Sequence, residues 1–307
     1  METLIKNVNI LNPNEEIQTS CNVLIEDKHI KQISGKELSV KDNVKIIDGQ
    51  DNYLMPGFID CHAHPLEVLK KTREIKRAGA DFIKVMASGG VLTTNTSPDY
   101  PQFNVEELKT IVDEAHVNDL KVSAHCHSLK GINNCIDAGF DSIEHGTFID
   151  KKTSRKMVEN NVKLVPTMLV HDFLYHSGFP AWDNYAAEKT AKLKEIVKVH
   201  KENIAVAYEE GVDLLMGTDS GVIAHGHNLE ELIHLTDVGM SNDEAIASGT
   251  IKAAEFICKE DSLGSVSENK IADLILVNGN PLDDVSILAD NDNILKVIQD
   301  GCLVKDI

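Results

Sequence analysis

The sequence predicts an α/β protein: a TIM-barrel-like domain with six core strands, distorted or incomplete, and a small β-sandwich domain formed by both chain ends. Three observations carry this expectation. Short apolar runs recur with helical segments between them, which is the alternation of a β/α chain. Several of these runs end on histidine, lysine or aspartate, as strands do at the C-terminal rim where a β/α barrel keeps its chemistry. The segments 2–54 and 271–304 are β-rich and cannot each bury a face alone, so a shared domain is the economical solution. The expected boundaries are 56–263 for the barrel-like domain, and 1–55 with 264–307 for the small one.

Taken in order, NVLIEDKHIKQIS (22–34) gives two alternating β segments joined across Asp27-Lys28, and VKIID (44–48) gives another. The barrel strands are expected at 57–62, 81–87, 121–126, 141–144, 162–167 and 212–218. LEVLKKTREIKRAG (66–79) reads as one helix. VEELKTIVDEAHVN (105–118) places Leu108, Ile111, Val112 and Ala115 on one helical face. LKGINNCIDAG (129–139) and SRKMVENN (154–161) are further crossover helices. The stretch from Asn184 to Glu210 is helical, with Ile196, Ile204 and Ala207 on its buried side. The aromatic, Gly- and Pro-bearing segment before it, 169–185, reads as a mobile loop facing substrate. Then SNDEAIASGTIKAAEFI (241–257) pairs two helices, with Ser241 as cap and Glu244 completing a capping box. Near the end, IADLILV (271–277) and ILKVIQDGCLV (294–304) return to β structure.

The chain has 307 residues, enough for a large core and a smaller accessory domain. Its 49 acidic against 30 basic side chains leave a formal charge of -19, which argues against nucleic acid or an anionic membrane as partner. METLIKNVNI alternates like a strand and gives neither a signal peptide nor a spanning segment. Six cysteines without CxxC spacing suit packing in a reducing cytoplasm. Cytoplasmic location, a small-molecule or dipeptide substrate and a possible homo-oligomer are expected.

The candidate chemistry sits at strand ends. In MPGFIDCHAHP (55–65), His62 and His64 stand at i and i+2, a spacing that points both imidazoles to one side of a strand. Lys84 lies inside the β-rich run FIKVMASGG (82–90), where a lysine either faces solvent or has a task. His125 ends a strand in VSAHCHS (122–128), His145 in DSIEHGT (141–147), and Asp219 in VDLLMGTDSG (212–221). His127, His171, Tyr175 and His176 are candidate substrate contacts. His116, His200 and His234 read as surface or interhelical residues, and His171, His176, His225 and His227 as residues of rim loops.

The motifs PGFIDCHAH, FIKVMASGGV, QFNVEELKTIVDEAH, VSAHCHS, AGFDSIEHGT, GVDLLMGTDS and GNPLDDVSIL run along nearly the whole chain. In combination the sequence resembles the metal-dependent amidohydrolase superfamily, in its branch of imidazolonepropionase-related proteins and Xaa-Pro dipeptidases. The resemblance implies a site with two divalent metal ions, zinc first, bridged by a carboxylated Lys84. His62, His64 and Asp219 would stand on one side, and His125 and His145 on the other. Asp219 would also move the proton from the attacking water to the departing nitrogen. The implied reaction is hydrolysis of an amide in a small dipeptide or N-acyl amino acid. Opening of a cyclic amide, and an inactive metal-binding or structural remnant, stand as alternatives. One departure from the family pattern bears on the last: only 19 residues separate His64 from Lys84, room for one helix where relatives place two β/α units.

Overall fold

The computed structural model describes residues 2–40, 44–58, 72, 76, 79–90, 97–177 and 187–306, with side chains from 196 onward in the last stretch. The chain divides into two compact units: Met1–Asp60 with Gly226–Thr236 and Met240–Ile307, and Cys61–His225 with Asp237–Gly239.

In the first unit, β1 (Glu2–Ile10), β2 (Gln18–Glu26), β3 (His29–Ser34), β4 (Lys45–Asp48) and β5 (Tyr53–Pro56) join three strands from the other end of the chain. Those are β10 (Leu274–Val277), β11 (Ile294–Gln299) and β12 (Cys302–Asp306). Both chain ends therefore share one sheet, in the order β12-β11-β10-β5-β1-β2-β3 with β4 also on β1. The ends meet where β5 and β10 run antiparallel, with Leu54 opposite Leu276. Hydrogen bonding joins the eight strands in one mixed sheet, which does not by itself give the two facing sheets of the expected sandwich. Its core takes Cys21, Val23 and Ile25 from β2 at the period of two that a half-buried strand requires. From β1 the same core takes Ile5, Val8 and Ile10. The phase slips between Ile5 and Val8 because the register shifts there and Asn7 adopts φ 53°, a bulge that keeps the apolar side chains on one face.

The second unit is built on a parallel sheet. Strands β6 (Phe82–Met86), β7 (Lys121–Cys126), β8 (Ser142–His145) and β9 (Lys163–Val165) lie side by side in chain order. Helices α1 (Val105–His116), α2 (Leu129–Ala138) and α3 (Lys151–Glu159) connect or follow them. Each begins where a polar side chain can accept an orphan backbone N–H. Asn104 forms a capping box with Glu107, Ser128 accepts from Gly131, and Asp150 accepts from Thr153. On α1 the buried residues are Leu108, Ile111, Val112 and Ala115, as the periodicity predicts. Long helix α5 (Ala187–Glu209) buries Ile196, Ile204 and Ala207, again as predicted. In the first unit Ser241 and Glu244 make the expected capping box on Asn242–Ser248, which Ile251–Phe256 follows.

Four of the six expected barrel strands are thus present where predicted, and no closed barrel is seen among the described residues. The expected strand at 212–218 is reduced to a bridge between Leu214 and Leu164, held by Leu164 N–H on Asp213 O and Leu215 N–H on Leu164 O. The reason lies in its neighbour. Pro166 has no N–H to continue a ladder, and Thr167 turns into the left-handed region at φ 52°, so β9 offers three residues for pairing. Residues 59–62 of the expected strand at 57–62 lie outside the described residues. So does most of the helix expected at 66–79, of which Thr72 and Lys76 are helical.

The loop expected at 169–185 is corrected in its first half: Met168–Ser177 is a helix, α4. Leu169, Val170 and Leu174 supply the helical spacing that packs with Ile223. Gly178 and Pro180, which gave the segment its loop-like composition, lie outside the described residues. His171 and His176 are therefore helical residues, not loop residues.

Candidate metal centre

Strand alternation sorts the parallel sheet into two faces. Ile83 and Val85 of β6, Val122 and Ala124 of β7, Ile143 of β8 and Leu164 of β9 are buried on the apolar one. Lys84 is paired in register with Ser123, Ser123 with Ser142, and His125 with Glu144 on the other. That second face is polar yet buried, so each group on it must find a partner. Ser123 and Ser142 bond to each other through their hydroxyls.

Alternation alone would aim His145 with Cys126, its register partner, at the apolar face. Instead His145 adopts φ 67° and its Nε2 comes within 2.8 Å of His125 Nδ1. A non-glycine residue in the left-handed region is uncommon and costs energy, and such residues gather at functional sites. Asp219 also lies in this region, at φ 54°.

Three imidazoles gather here. The ligand nitrogens of His125, His127 and His145 lie within 4.8 Å of one another, and all three side chains are buried. His127 and His145 stack with centroids 4.6 Å apart, while His125 meets both edge-on. The far nitrogens are held: His127 Nδ1 lies 2.8 Å from Thr147 Oγ1, and His145 Nδ1 lies 2.7 Å from Thr167 Oγ1. Burial, aided by His125, His171 and His200, holds the His127 imidazole well below its ordinary pKa; Asp219 pulls weakly the other way. A neutral imidazole anchored at one nitrogen by a hydroxyl is the form that ligates a cation. The contact between His145 Nε2 and His125 Nδ1 places a proton between two nitrogens that a cation would draw to itself. The donor set fits a divalent transition metal such as zinc.

Lys84 reaches the same face. Its Nζ lies 2.5 Å from Glu144 Oε2, with the two side chains 3% and 0% exposed. The sequence pattern singles out Lys84 but not Glu144. The signal was the spacing of two: Glu144 shares its face with His125 and so with Lys84. The geometry is that of a buried ammonium–carboxylate pair, and an anion on Lys84 would have to displace or neutralise Glu144.

Beyond the triad, His171 on α4 lies 6.1 Å from both His127 and His145, ring centre to ring centre. His171 stacks on His200 of α5 at 4.2 Å. Burial lowers the pKa of both, for His200 with a further push from His171. His200, read from the sequence as a surface or interhelical residue, is interhelical, on the stripe Ile196, His200, Ile204. Asp219 is half-buried and acts electrostatically on both His127 and His171. Tyr175 is 42% exposed and its ring meets that of His176, which pairs with Asp172 at the helix surface. His62 and His64 lie outside the described residues.

Comparison with known proteins places this geometry. Residues 65–304 match the model of the amidohydrolase family. Ochratoxinase of Aspergillus niger is 34% identical over 260 residues, covering 81% of this chain and 52% of that protein. The chain thus spans about half the length of the curated relatives it matches. A Xaa-Pro dipeptidase solved with methionine in its active site superposes with a TM-score of 0.88 at 26% identity, over 99% of this chain and 100% of that one. The crystal structure of A. niger ochratoxinase gives 0.84 at 22%, over 99% and 96%, a likeness of fold. With its strand-end histidines gathered on the polar face of a parallel sheet and the match extending over most of its length, the chain belongs to the amidohydrolase family.

Proposed function

We propose that the chain is a metal-dependent hydrolase of carbon–nitrogen bonds, acting on a small dipeptide or N-acyl amino acid. The observation that carries this is the buried triad His125, His127 and His145, three imidazole donors converging within 4.8 Å. The Xaa-Pro dipeptidase among the similar structures supports the amide as the bond cleaved. In this reading His125 and His145 would hold one divalent ion and His62, His64 and Asp219 another, with Lys84, carboxylated by carbon dioxide, supplying an anionic ligand. The domain division at 55/56 and 263/264 belongs to the same proposal. Bound metal would supply a water acidified toward neutral pH and polarise the scissile carbonyl.

The chain's own residues do the rest. Thr147 and Thr167 fix the orientation of His127 and His145, so the donors need not reorganise when a ligand arrives. Asp219 carries the proton from the attacking water to the leaving nitrogen. His127 and His171, beside that carboxylate, face the substrate's polar end. Among the described residues no helix is long and apolar enough to cross a membrane.

The test is amine release by the chain, purified in zinc and bicarbonate, from a panel of dipeptides, N-acyl amino acids and cyclic amides. Release from a linear amide is expected. Asp219→Asn should then lower kcat by at least about a hundredfold and leave KM within a few-fold, since proton transfer belongs to the transition state. Failure on every amide despite bound metal would move the chain to the inactive reading.

A further inference from the structure

Helix α5 places two side chains, one turn apart, against the ends of two different strands. His200, 1% exposed, donates Nε2–H to the carbonyl of Pro166 at 2.9 Å. Asn203 donates Nδ2–H to the carbonyl of Thr147, also at 2.9 Å. The two turns so held are those whose threonine hydroxyls anchor the site: Thr147 Oγ1 holds His127, and Thr167 Oγ1 holds His145.

The second turn needs holding. Thr167 is β-branched and sits at φ 52°, where such a residue is a genuine outlier that persists only if its surroundings over-determine it. The surroundings do so from both sides. His171 Nδ1–H takes the Thr167 carbonyl at 3.0 Å, and His200, stacked on His171, takes the carbonyl one residue earlier. His200 also leaves Nδ1 buried with no hydrogen-bond partner among the described residues, a cost an apolar side chain in the same place would not carry. What the imidazole adds at this position is the N–H on Pro166.

We propose that α5 is a two-pronged brace, in which His200 and Asn203 are positioning residues that set the tautomer and orientation of His145 and His127 through Thr167 and Thr147. Asn203 governs His127 and His200 governs His145. The inference rests on the metal-site reading for its purpose, not for its geometry.

The experiment is long-range ¹H–¹⁵N correlation of the histidine rings in the full chain, metal-free, followed by zinc titration. His127 and His145 are assigned by single substitution to glutamine. Asn203→Ala should turn the His127 signals from one tautomer to a mixture and leave His145 unmoved. His200→Phe, which keeps the stack on His171 and removes the N–H, should do the reverse. His200→Asn, which returns a donor, should restore the His145 signals in part. His200→Phe, which reaches the ligand His145 through Thr167, should also weaken zinc binding by about tenfold, the low end of what outer-sphere partners contribute. Joint movement of His127 and His145 in both variants, or movement of neither, would overturn the brace. If His200→Phe fails to fold, the Asn203→Ala spectrum decides alone, and an unmoved His127 overturns the proposal. A wild type that binds no zinc yet shows the split response would sink the metal reading and leave the brace standing.

Discussion

Glu144→Gln is the most informative single change, because it removes the carboxylate from a pair whose members are 3% and 0% exposed. Taking one partner from a buried ion pair leaves an uncompensated charge, at a cost of about 3–5 kcal/mol. Lys84→Met strands the carboxylate and should cost about the same. The double variant Lys84→Met/Glu144→Leu removes both charges and replaces them with apolar groups of similar volume, an exchange that is neutral or stabilising in comparable sites. It should therefore be at least about 3 kcal/mol more stable than either single variant, although it carries two substitutions to their one. Urea unfolding of the four proteins in metal-free buffer at neutral pH reads this directly. A double variant as unstable as the sum of the singles would show that the two charges do not face each other. In zinc and bicarbonate the sign for Glu144→Gln should reverse if Lys84 becomes an anion, because the substitution then removes a like charge.

Other outcomes follow from the same geometry. His127, His171 and His200 are held below the ordinary imidazole value of 6.5 by burial. Above 6.5 neither state binds the protons; below it the unfolded chain does and the folded one does not. Stability of the metal-free chain should fall as pH drops through 6.5, by up to about 1.4 kcal/mol per pH unit for each imidazole, until the folded groups titrate. Urea midpoints that stay flat from pH 7 to 5 would contradict it. Gly146→Ala puts a Cβ 2.6 Å from Leu164 Cδ1 at a residue with φ 65°, whereas Gly139→Ala, at φ 91°, meets nothing nearer than 3.6 Å. Both pay about 1–2 kcal/mol for the left-handed backbone, and Gly146→Ala adds about 1–3 for overpacking. Equal thermal shifts for the two would refute the packing argument.

Sequence periodicity located most of what local chemistry decides. The buried face of α1, the capping box at Ser241 and the strands ending on His125 and His145 follow from spacing and cap residues alone. Three features did not, each for a physical reason. The helix at Met168–Ser177 was hidden by the glycine and proline that follow it, because composition averaged over 169–185 outweighed the spacing of Val170 and Leu174. The bridge at Leu214 is short because Pro166 and Thr167 truncate its neighbour, a long-range effect that no window around 212–218 contains. Glu144 and His200 carry ordinary signals, a period of two and a place on an apolar helical stripe. Their meaning depends on Lys84 and on the Pro166 carbonyl, which are distant in sequence. The conformation of His145 is likewise tertiary: alternation aims it at the wrong face, and only the turn at φ 67° brings it to His125.

The central claim is that His125 and His145, gathered with His127, hold a divalent ion. Its most direct test is the zinc-binding isotherm of the metal-free chain beside His125→Ala, His145→Ala and, as a surface control, His176→Ala. The account predicts at least one tightly bound zinc per chain, affinity lowered more than about tenfold by either site substitution, and no change with His176→Ala. A wild-type chain that binds no zinc, or one whose affinity survives loss of His125 and His145 together, would contradict it.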